Sequence, residues 1–147
     1  MIVLDTTVLV YAVGEAHALR DPCRAIVEAA MDGTVPATTT PEVIQELAHV
    51  RARRRDRGDA AEVAASYAEL LAPLLVVDDA DLLAGLDLYR AHDRLGAFDC
   101  VLAAVALRHK ATALVSADRA FAGVDGLRHL DPAAADVVAV LRGPANG

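Results

Sequence analysis

Four acidic residues of this chain stand beside apolar segments, in positions from which their carboxylates can act together. Asp5 and Asp118 each follow an apolar run that is typical of a short buried strand. Glu46 and Asp99 each lie beside the apolar stripe of a predicted helix. The four positions are far apart along the chain, so only a fold that brings strand ends and helices together would make them one site.

The chemistry that such a group of carboxylates favours is metal-assisted hydrolysis. Carboxylates gathered in one place repel one another, and some of them would take up protons if nothing neutralised them. Divalent cations remove that cost, because hard Mg²⁺ or Mn²⁺ prefers oxygen ligands. The sequence therefore suggests a phosphodiester chemistry that uses two cations.

The chain has 21 acidic residues, so the choice of these four needs a reason. In an open α/β sheet, ligands bind beyond the carboxyl ends of the strands, and Asp5 and Asp118 satisfy that condition. Each of them also has an ordinary alternative role. Asp5 can cap the helix that follows it, and Asp118 can cap a turn that begins at Arg119.

The two acids on predicted helices, Asp99 and Glu46, differ in how strongly their positions indicate a functional role. At ~100° per residue, Asp99 shares a helix face with the apolar residues Leu102 and Ala106. A carboxylate on a buried stripe needs a partner or a metal, although stabilisation by the helix N-terminus is an alternative. Glu46 lies at the edge of its helix's apolar face and is equally well explained, by itself, as a rim residue.

Short strands alternate with helices, which predicts an α/β fold: a three-layer α/β/α sandwich around a mainly parallel sheet. A single domain is expected over residues 1–142, with a flexible tail at 143–147. Strands are predicted at Ile2–Leu4, Val35–Thr39, Leu74–Val77, Ala113–Val115 and Leu127–Leu130. Helices are predicted to begin near Thr6, at Asp21-Pro22, at Thr40-Pro41, at Asp59, at Asp79 or Asp81 and near Phe98, with a turn over Arg119–Phe121 and a last helix within Pro132–Leu141.

Composition limits the classes of function. The net charge of −7 disfavours non-specific binding to polyanions, so a nucleic-acid enzyme of this charge needs local positive features. The arginine-rich run Arg51–Arg57 is one such feature, and contact with a phosphate or a partner is one interpretation of it. The other is a solvated helix end, where cations suit the helix dipole.

Other features favour an intracellular protein without a His- or Cys-bound metal. Cys23 and Cys100 are isolated, which indicates a reduced chain, and Cys100 is expected to fill the core. The five histidines show no spacing typical of a zinc site. No segment reaches the ~18 apolar residues of a membrane span, and no basic signal-peptide region opens the chain, so a cytoplasmic location without membrane contact is expected.

Several alternative chemistries lack their defining residues. The chain contains no Walker-A loop, no GxGxxG and no GxSxG motif. An enzyme that forms a phosphoaspartate would need an acid two residues after Asp5, where Thr7 stands.

Four short segments resemble the PIN-domain ribonucleases and, within them, the VapC-type toxins of bacterial toxin–antitoxin pairs. The segments are Val3–Thr7, Pro41–Leu47, Phe98–Ala104 and Val115–Phe121, and they span nearly the whole chain. Each is short and degenerate, but their order and spacing together are fairly specific. One departure from the family pattern is Thr7, which stands where serine is frequent and keeps the hydroxyl.

The resemblance implies a small α/β/α sandwich that cuts RNA with Mg²⁺ or Mn²⁺. It implies catalytic, metal-binding acids at Asp5, Glu46, Asp99 and Asp118, with Ser116 and Thr7 as supporting hydroxyl residues. Asp5 and Asp99 are expected to hold the principal ion, and Glu46 and Asp118 a second ion or a water. A homodimer, an RNA substrate that is single-stranded or looped, and a cognate antitoxin that silences the enzyme are also implied.

A rival hypothesis is a catalytically silent binding module of the same fold, in which the acids serve only as helix caps. Either hypothesis allows a partner surface. Apolar helical stretches such as Ala60–Leu75 are candidates for it, although ordinary core packing is the preferred interpretation of that stretch.

Overall fold

Four parallel strands form the centre of the computed structural model, which describes residues 1–142. They are β1 (Ile2–Leu4), β2 (Ala37–Thr38), β3 (Ala113–Val115) and β4 (His129–Leu130), arranged in the order β2-β1-β3-β4. The residues of β1 and β3 are all buried, which explains why both strands are continuous apolar runs in the sequence.

The strand order reverses at β1, which has β2 on one side and β3 on the other. At such a switch point the connections leave toward opposite faces, and a crevice opens beyond the carboxyl ends of the two strands. Asp5 follows β1 directly, and Ser116 and Asp118 follow β3. The topology therefore brings these residues to one crevice.

Helices cover the sheet in two groups. The first helices pack on one another, α1 on α2 and α3, α3 on α4, and α2 on α7, while α5 packs on α6, which contacts β3. The predicted α/β/α sandwich is thus confirmed. The helices are α1 (Thr6–Val13), α2 (Arg20–Met31), α3 (Pro41–Ala52), α4 (Arg57–Leu70), α5 (Asp79–Ala91), α6 (Ala97–Arg108) and α7 (Val137–Arg142), with a 3₁₀ turn at Arg119–Gly123.

The core is built from small aliphatic residues, and both cysteines belong to it. Cys23 and Cys100 are fully buried and unbonded to each other. Burial raises the pKa of the Cys23 thiol to about 12, and it also raises the pKa of the Cys100 thiol. Both residues therefore fill space as unreactive thiols, as expected for Cys100.

The strand predicted at Leu74–Val77 is wrong: the segment has no regular secondary structure. Among residues 1–142, one amide of this segment bonds next to β2: Leu75 N–H donates to the carbonyl of Thr39, the residue after β2, at 2.9 Å. Pro73, just before the segment, has no N–H to add to a ladder. An apolar run beside the sheet is therefore not sufficient to make a fifth strand.

The cap predicted at Asp59 is also wrong. Asp56 caps α4, because its carboxylate accepts the Asp59 N–H at 2.9 Å. The Asp59 carboxylate instead accepts two hydrogen bonds from the Arg51 guanidinium at the end of α3, one of them at 3.0 Å. Asp59 thus joins two helices rather than starting one.

The helix α5 is present, but its apolar stripe faces outward. Leu82, Leu83, Leu86 and Tyr89 are between 37% and 64% exposed. The side that meets α6 carries Gly85 instead, where an added Cβ would lie 2.6 Å from Cα of Val101. Periodicity alone could not reveal this orientation, because close approach through a glycine replaces apolar burial.

Several boundaries differ from the prediction by a few residues. The helix α2 begins at Arg20 without a side-chain cap, and α5 begins with a capping box formed by Asp78 and Asp81. The last helix covers only Val137–Arg142, and the predicted tail at 143–147 lies outside the described residues. Across the described part of the chain, no helix is long and apolar enough to span a bilayer.

Candidate active site

The first candidate acid, Asp5, is held in one orientation at the end of β1. It is 3% exposed and caps α1 through the Thr7 N–H. Its Oδ2 atom accepts hydrogen bonds from the hydroxyls of Ser116 at 2.7 Å and Thr7 at 2.8 Å. Among residues 1–142, no hydrogen bond is found to Oδ1, so one oxygen of this fixed carboxylate stays available to a ligand.

The hydroxyls of Ser116 and Thr7 tie the ends of β1 and β3 together. Ser116 is fully buried, and its Oγ also accepts the Asp118 N–H at 2.9 Å. The Thr7 Oγ1 accepts the Ala117 N–H at 3.0 Å. The two residues implied as supporting ones therefore contact Asp5 directly and set the backbone that carries Asp118.

The fourth acid, Asp118, is exposed and caps the 3₁₀ turn. Its Oδ1 accepts the Ala120 N–H at 2.9 Å. The capping alternatives considered for Asp5 and Asp118 are thus both realised. Capping occupies one carboxylate oxygen in each case, so a cap does not prevent the other oxygen from binding a ligand.

The helix α3 brings Glu46 to the same end of the sheet. The Thr6 hydroxyl donates to its Oε2 at 2.6 Å, which links the middle of α3 to the first residue of α1. Thr6 is buried and immediately follows Asp5. Thr6 was not among the predicted site residues, although a hydroxyl next to a candidate acid is a signal that the sequence contains.

The helix α6 supplies Asp99 in its first turn, and this carboxyl senses the other three. Its pKa rises from 3.8 to about 6, first because of burial and then because of the charges of Asp5, Asp118 and Glu46. Charges raise the pKa of a carboxyl in this way when they lie near it and are only partly screened by solvent. The four predicted acids therefore come from four segments into one electrostatic neighbourhood.

The donor chemistry of this neighbourhood suits a hard divalent cation, because every candidate ligand is a carboxylate or hydroxyl oxygen. The raised pKa of Asp99 shows the excess negative charge that a cation would offset. Within residues 1–142, no three His, Cys, Asp or Glu side chains stand close enough to hold an ion as placed. Side-chain rotation toward an ion would be needed to complete the coordination.

Comparisons with known protein sequences agree with this geometry. The family profile described as PIN domain matches residues 2–127. Ribonuclease VapC7 of Mycobacterium tuberculosis is 52% identical over 145 residues, which cover 96% of this chain and 98% of the relative. Ribonuclease VapC23 of the same species is 32% identical over 124 residues, covering 83% of this chain and 96% of the relative.

Solved structures show the same fold at low sequence identity. VapBC2 from Rickettsia felis, bound to a DNA fragment from its promoter, aligns with a TM-score of 0.69 at 16% identity and covers 89% of this chain and 98% of that chain. FitAcB from Neisseria gonorrhoeae aligns with a TM-score of 0.67 at 20% identity, covering 90% and 98%.

Proposed function

The chain belongs to the PIN-domain family and, within it, to the VapC-type ribonucleases, and from that premise we propose that it is an endoribonuclease acting as the toxin of a toxin–antitoxin pair. The proposal is supported chiefly by the hydrogen bonds that tie Asp5 to Ser116 and Glu46 to Thr6, the residue after Asp5. The charges of Asp5, Asp118 and Glu46 also add to the effect of burial in raising the pKa of Asp99. The activity is hydrolysis of a phosphodiester bond in RNA.

We further propose that the hydrolysis depends on Mg²⁺ or Mn²⁺. Asp5 and Asp99 would hold the principal ion, and Glu46 and Asp118 would hold or orient a second ion. Bound there, the ions would supply Lewis acidity, lowering the pKa of water and offsetting charge on the attacking and leaving oxygens. Direct attack by water would leave 5′-phosphate and 3′-hydroxyl ends.

The surrounding residues contribute by fixing the acids. Ser116 and Thr7 hold Asp5 by two hydrogen bonds to one oxygen, which presents the other oxygen to the crevice. The Thr6 hydroxyl holds Glu46 by one hydrogen bond to its Oε2. Fixed carboxylates lose little conformational entropy when an ion binds, so this arrangement favours a tighter site than free side chains would form.

The test is cleavage of a structured RNA with and without EDTA, for the wild type and for Asp5→Asn and Asp99→Asn. We expect cleavage only with Mg²⁺ or Mn²⁺, and a loss of at least a hundredfold in each variant. Cleavage that persists in EDTA would contradict the metal dependence. Full activity of both variants would contradict the assignment of the site.

An antitoxin partner is proposed because the relatives by structure include toxin–antitoxin complexes. A groove beside the acids suits a basic, bulky segment: it is lined by Glu42, Asp78 and Asp79 together with the exposed apolar side chains of Leu82 and Phe98. The Oε2 atom of Glu42 is buried and finds no hydrogen-bond partner among the described residues, so an arginine or lysine would satisfy it.

A homodimer is also proposed, through the part of the outward stripe of α5 that lies outside this groove, Leu83 and Tyr89. Exposed large apolar side chains grouped on one helix face typically mark an association surface. By contrast, Ala60, Ala64 and Leu71 of the stretch Ala60–Leu75 are buried. Light scattering of the wild type and of Leu83→Glu tests the proposal; a monomeric wild type would contradict it.

The rival binding module has one observation in its favour, since Asp5 and Asp118 do serve as caps. Calorimetric titration with Mn²⁺ separates the two functions. The enzyme predicts heat of binding that disappears in Asp99→Asn, and the binding module predicts none in either protein. A toxin whose growth inhibition survives Asp99→Asn would also favour the rival.

A further inference from the structure

Four arginines project from the turn that joins α3 to α4. They are Arg53, Arg54, Arg55 and Arg57, here called the basic corner, and all four are exposed. Among residues 1–142, none of the four takes part in an ion pair. In contrast, ion pairs with aspartates are made by Arg20, Arg51, Arg90, Arg108 and Arg119.

The ordinary explanation of such a cluster accounts for only part of it. Cations near the C-terminus of a helix are favoured by the dipole, and Arg53 is the C-cap of α3. Arg57, however, is the first residue of α4 and so lies at the end of a helix where the dipole disfavours a cation. Asp56 stands between Arg55 and Arg57 in the sequence, and Arg53 Nη2 lies 3.0 Å from His49 Nε2. The four arginine charges outnumber this single acid and repel one another, so a bound anion would stabilise the corner.

The corner is rigid because Arg51 anchors it. The Arg51 guanidinium donates to both oxygens of Asp59 in α4 and, through Nη1, to the Val13 carbonyl at 3.2 Å. One side chain thus joins the ends of α1 and α3 to the first turn of α4. The exposed arginines are therefore presented by a fixed scaffold, which lowers the entropy lost on binding.

Two of the helices that Arg51 joins also position candidate acids: α1 follows Asp5, and α3 carries Glu46 in its middle. The helix α1 begins directly after Asp5 and ends beside Arg51. Arg53 lies seven residues after Glu46, which places its backbone about 10 Å further along α3. That span corresponds to roughly three stacked nucleotides of one strand.

We propose that the basic corner binds backbone phosphates of the RNA, a few nucleotides from the bond that is cut. The proposal rests on the function proposed above and specifies how a chain of net charge −7 holds a polyanion. One guanidinium group can donate two parallel hydrogen bonds to a phosphate, whereas a lysine ammonium acts as a point charge. Arginines therefore suit this ligand better than lysines would. The contacts are to phosphates and therefore carry no base specificity.

The experiment measures binding without cleavage. A fluorescein-labelled, unstructured twelve-nucleotide RNA is titrated with the Asp99→Asn protein in EDTA over a range of NaCl concentrations, with and without Arg54→Ser/Arg55→Ser. We expect the double substitution to weaken binding roughly tenfold at low salt and to reduce the slope of log K against log[NaCl] by about 1.4, since each single-strand phosphate contact contributes about 0.7.

A charge-matched control is available at the amino ends of two strands. Lys110 precedes β3 and Arg128 precedes β4, so both lie at the amino ends of strands, away from the acids; both are exposed. Lys110→Asn/Arg128→Ser removes the same charge, and asparagine tolerates the φ of 51° at position 110. An equal loss in this control would mean that only net charge matters, and would overturn the proposal.

The remaining outcomes are equally distinct. Arg54→Lys/Arg55→Lys should keep most of the salt slope, because the charges stay. An unchanged slope after substitution to serine overturns the proposal. A labelled polyglutamate peptide is titrated in the same way. If the serine substitutions weaken binding of this peptide but leave RNA binding unchanged, the corner binds an acidic protein surface and the proposal is overturned.

Cleavage kinetics separate the failure of this proposal from failure of the proposed function. In an active protein, Arg54→Ser/Arg55→Ser should raise KM severalfold with little change in kcat, because binding is lost equally in the ground and transition states. A wild type that never cuts RNA contradicts the enzyme assignment. A wild type that cuts RNA with the corner irrelevant contradicts only the inference about the corner.

Discussion

Asp99 lies in the first turn of α6, and the charges of three other carboxylates affect its pKa. Burial alone would raise its pKa, and the charges of Asp5, Asp118 and Glu46 raise it further, to about 6. A functional acid cluster commonly costs the metal-free protein stability, because the charged form is held where it is least favoured.

Replacing Asp99 by asparagine should therefore stabilise the protein in EDTA. The folded-state pKa is raised from 3.8 to about 6, so the stability that the protonated acid confers is complete below pH 4 and is lost as the pH rises through 6. At pH 7.5 we expect Asp99→Asn to gain on the order of 1–2 kcal/mol over the wild type, from about 1.4 kcal/mol per pKa unit less the effect of solvent.

Urea unfolding at pH 4 and at pH 7.5 measures this effect. The difference between wild type and variant should be small at the lower pH and should disappear at the higher pH when Mg²⁺ is added to the wild type. Asp125→Asn, on an exposed turn, is the matched control and should change little. A variant less stable than the wild type at pH 7.5 would contradict the electrostatic account.

Ser116 is the residue on which two of the acids depend for their placement. Its hydroxyl donates to Asp5 and accepts from the backbone that carries Asp118, and it is fully buried. Ser116→Ala should cost about 1–3 kcal/mol of unfolding free energy, because it removes one hydrogen bond and leaves a polar partner unsatisfied.

The same substitution should weaken Mn²⁺ binding about tenfold, as the loss of an outer hydrogen bond to a ligand commonly does. Calorimetric titration provides the measurement. Ser66→Ala, which removes an exposed hydroxyl from α4, is the control. Equal Mn²⁺ affinities for Ser116→Ala and the wild type would show that Asp5 does not need this support.

At the scale of elements, the pair α5 and α6 shows how close packing and charge can replace apolar burial. Gly85 lets the two backbones approach, and Asp81, buried to 2% exposure, accepts two hydrogen bonds from Arg108 at 2.6 Å each. This placement fixes α6, which carries Asp99. The apolar stripe of α5 is left outside as a consequence.

Gly85→Ala should destabilise the protein, although alanine is the better helix former. The new Cβ would lie 2.6 Å from Cα of Val101, a backbone atom that cannot move without shifting a helix. We expect a net loss of about 2–4 kcal/mol after the gain of about 1 kcal/mol in helix propensity. Thermal or urea unfolding measures it, and a stability equal to or above the wild type would contradict the close packing.

A control on the same helix isolates the propensity contribution. Ala84 is exposed on α5, so Ala84→Gly lowers helix propensity and adds no atom between α5 and α6. It should cost about 1 kcal/mol. The cost of Gly85→Ala should exceed that value and should be accompanied by reduced RNA cleavage, because α6 moves with Asp99.

At the scale of the whole molecule, the ion pairs and the acid cluster make contributions to the free energy of unfolding that change with pH in opposite directions. The guanidinium of Arg108 lowers the pKa of Asp81, and that of Arg51 lowers the pKa of Asp59. Stability from these depressed acids is present above about pH 4, their unfolded-state range, and is lost as the pH falls further. Asp99 behaves oppositely, since its contribution is lost as the pH rises toward and past 6.

The metal-free protein should therefore be most stable between about pH 4 and pH 6. Adding Mg²⁺ should extend the stable range upward, because a cation offsets the repulsion that appears when Asp99 ionises. Thermal melting in EDTA and in Mg²⁺ from pH 3 to pH 9 measures both limits. A metal-free protein that is most stable at or above pH 7.5 would show that ionisation of Asp99 does not limit stability.

The sequence by itself determined the fold class and the strands β1 and β3, and it predicted the four candidate acids. These conclusions are local: an apolar run followed by an acid marks a strand end, and Thr40-Pro41 marks a helix start, wherever the rest of the chain lies. Resemblance then identified the family, because short motifs in a fixed order survive where overall identity does not.

Only the tertiary structure decided which neighbours each residue meets. Sequence could not show that Thr6 binds Glu46, that Asp59 pairs with Arg51 instead of capping a helix, or that the stripe of α5 faces solvent. Each of these depends on contacts between segments, and their energies decide between local options that are equally good. Contacts between segments also decide which acids interact. The strand order places the ends of β1 and β3, and so Asp5 and Asp118, side by side. The charges of these two acids and of Glu46 raise the pKa of Asp99.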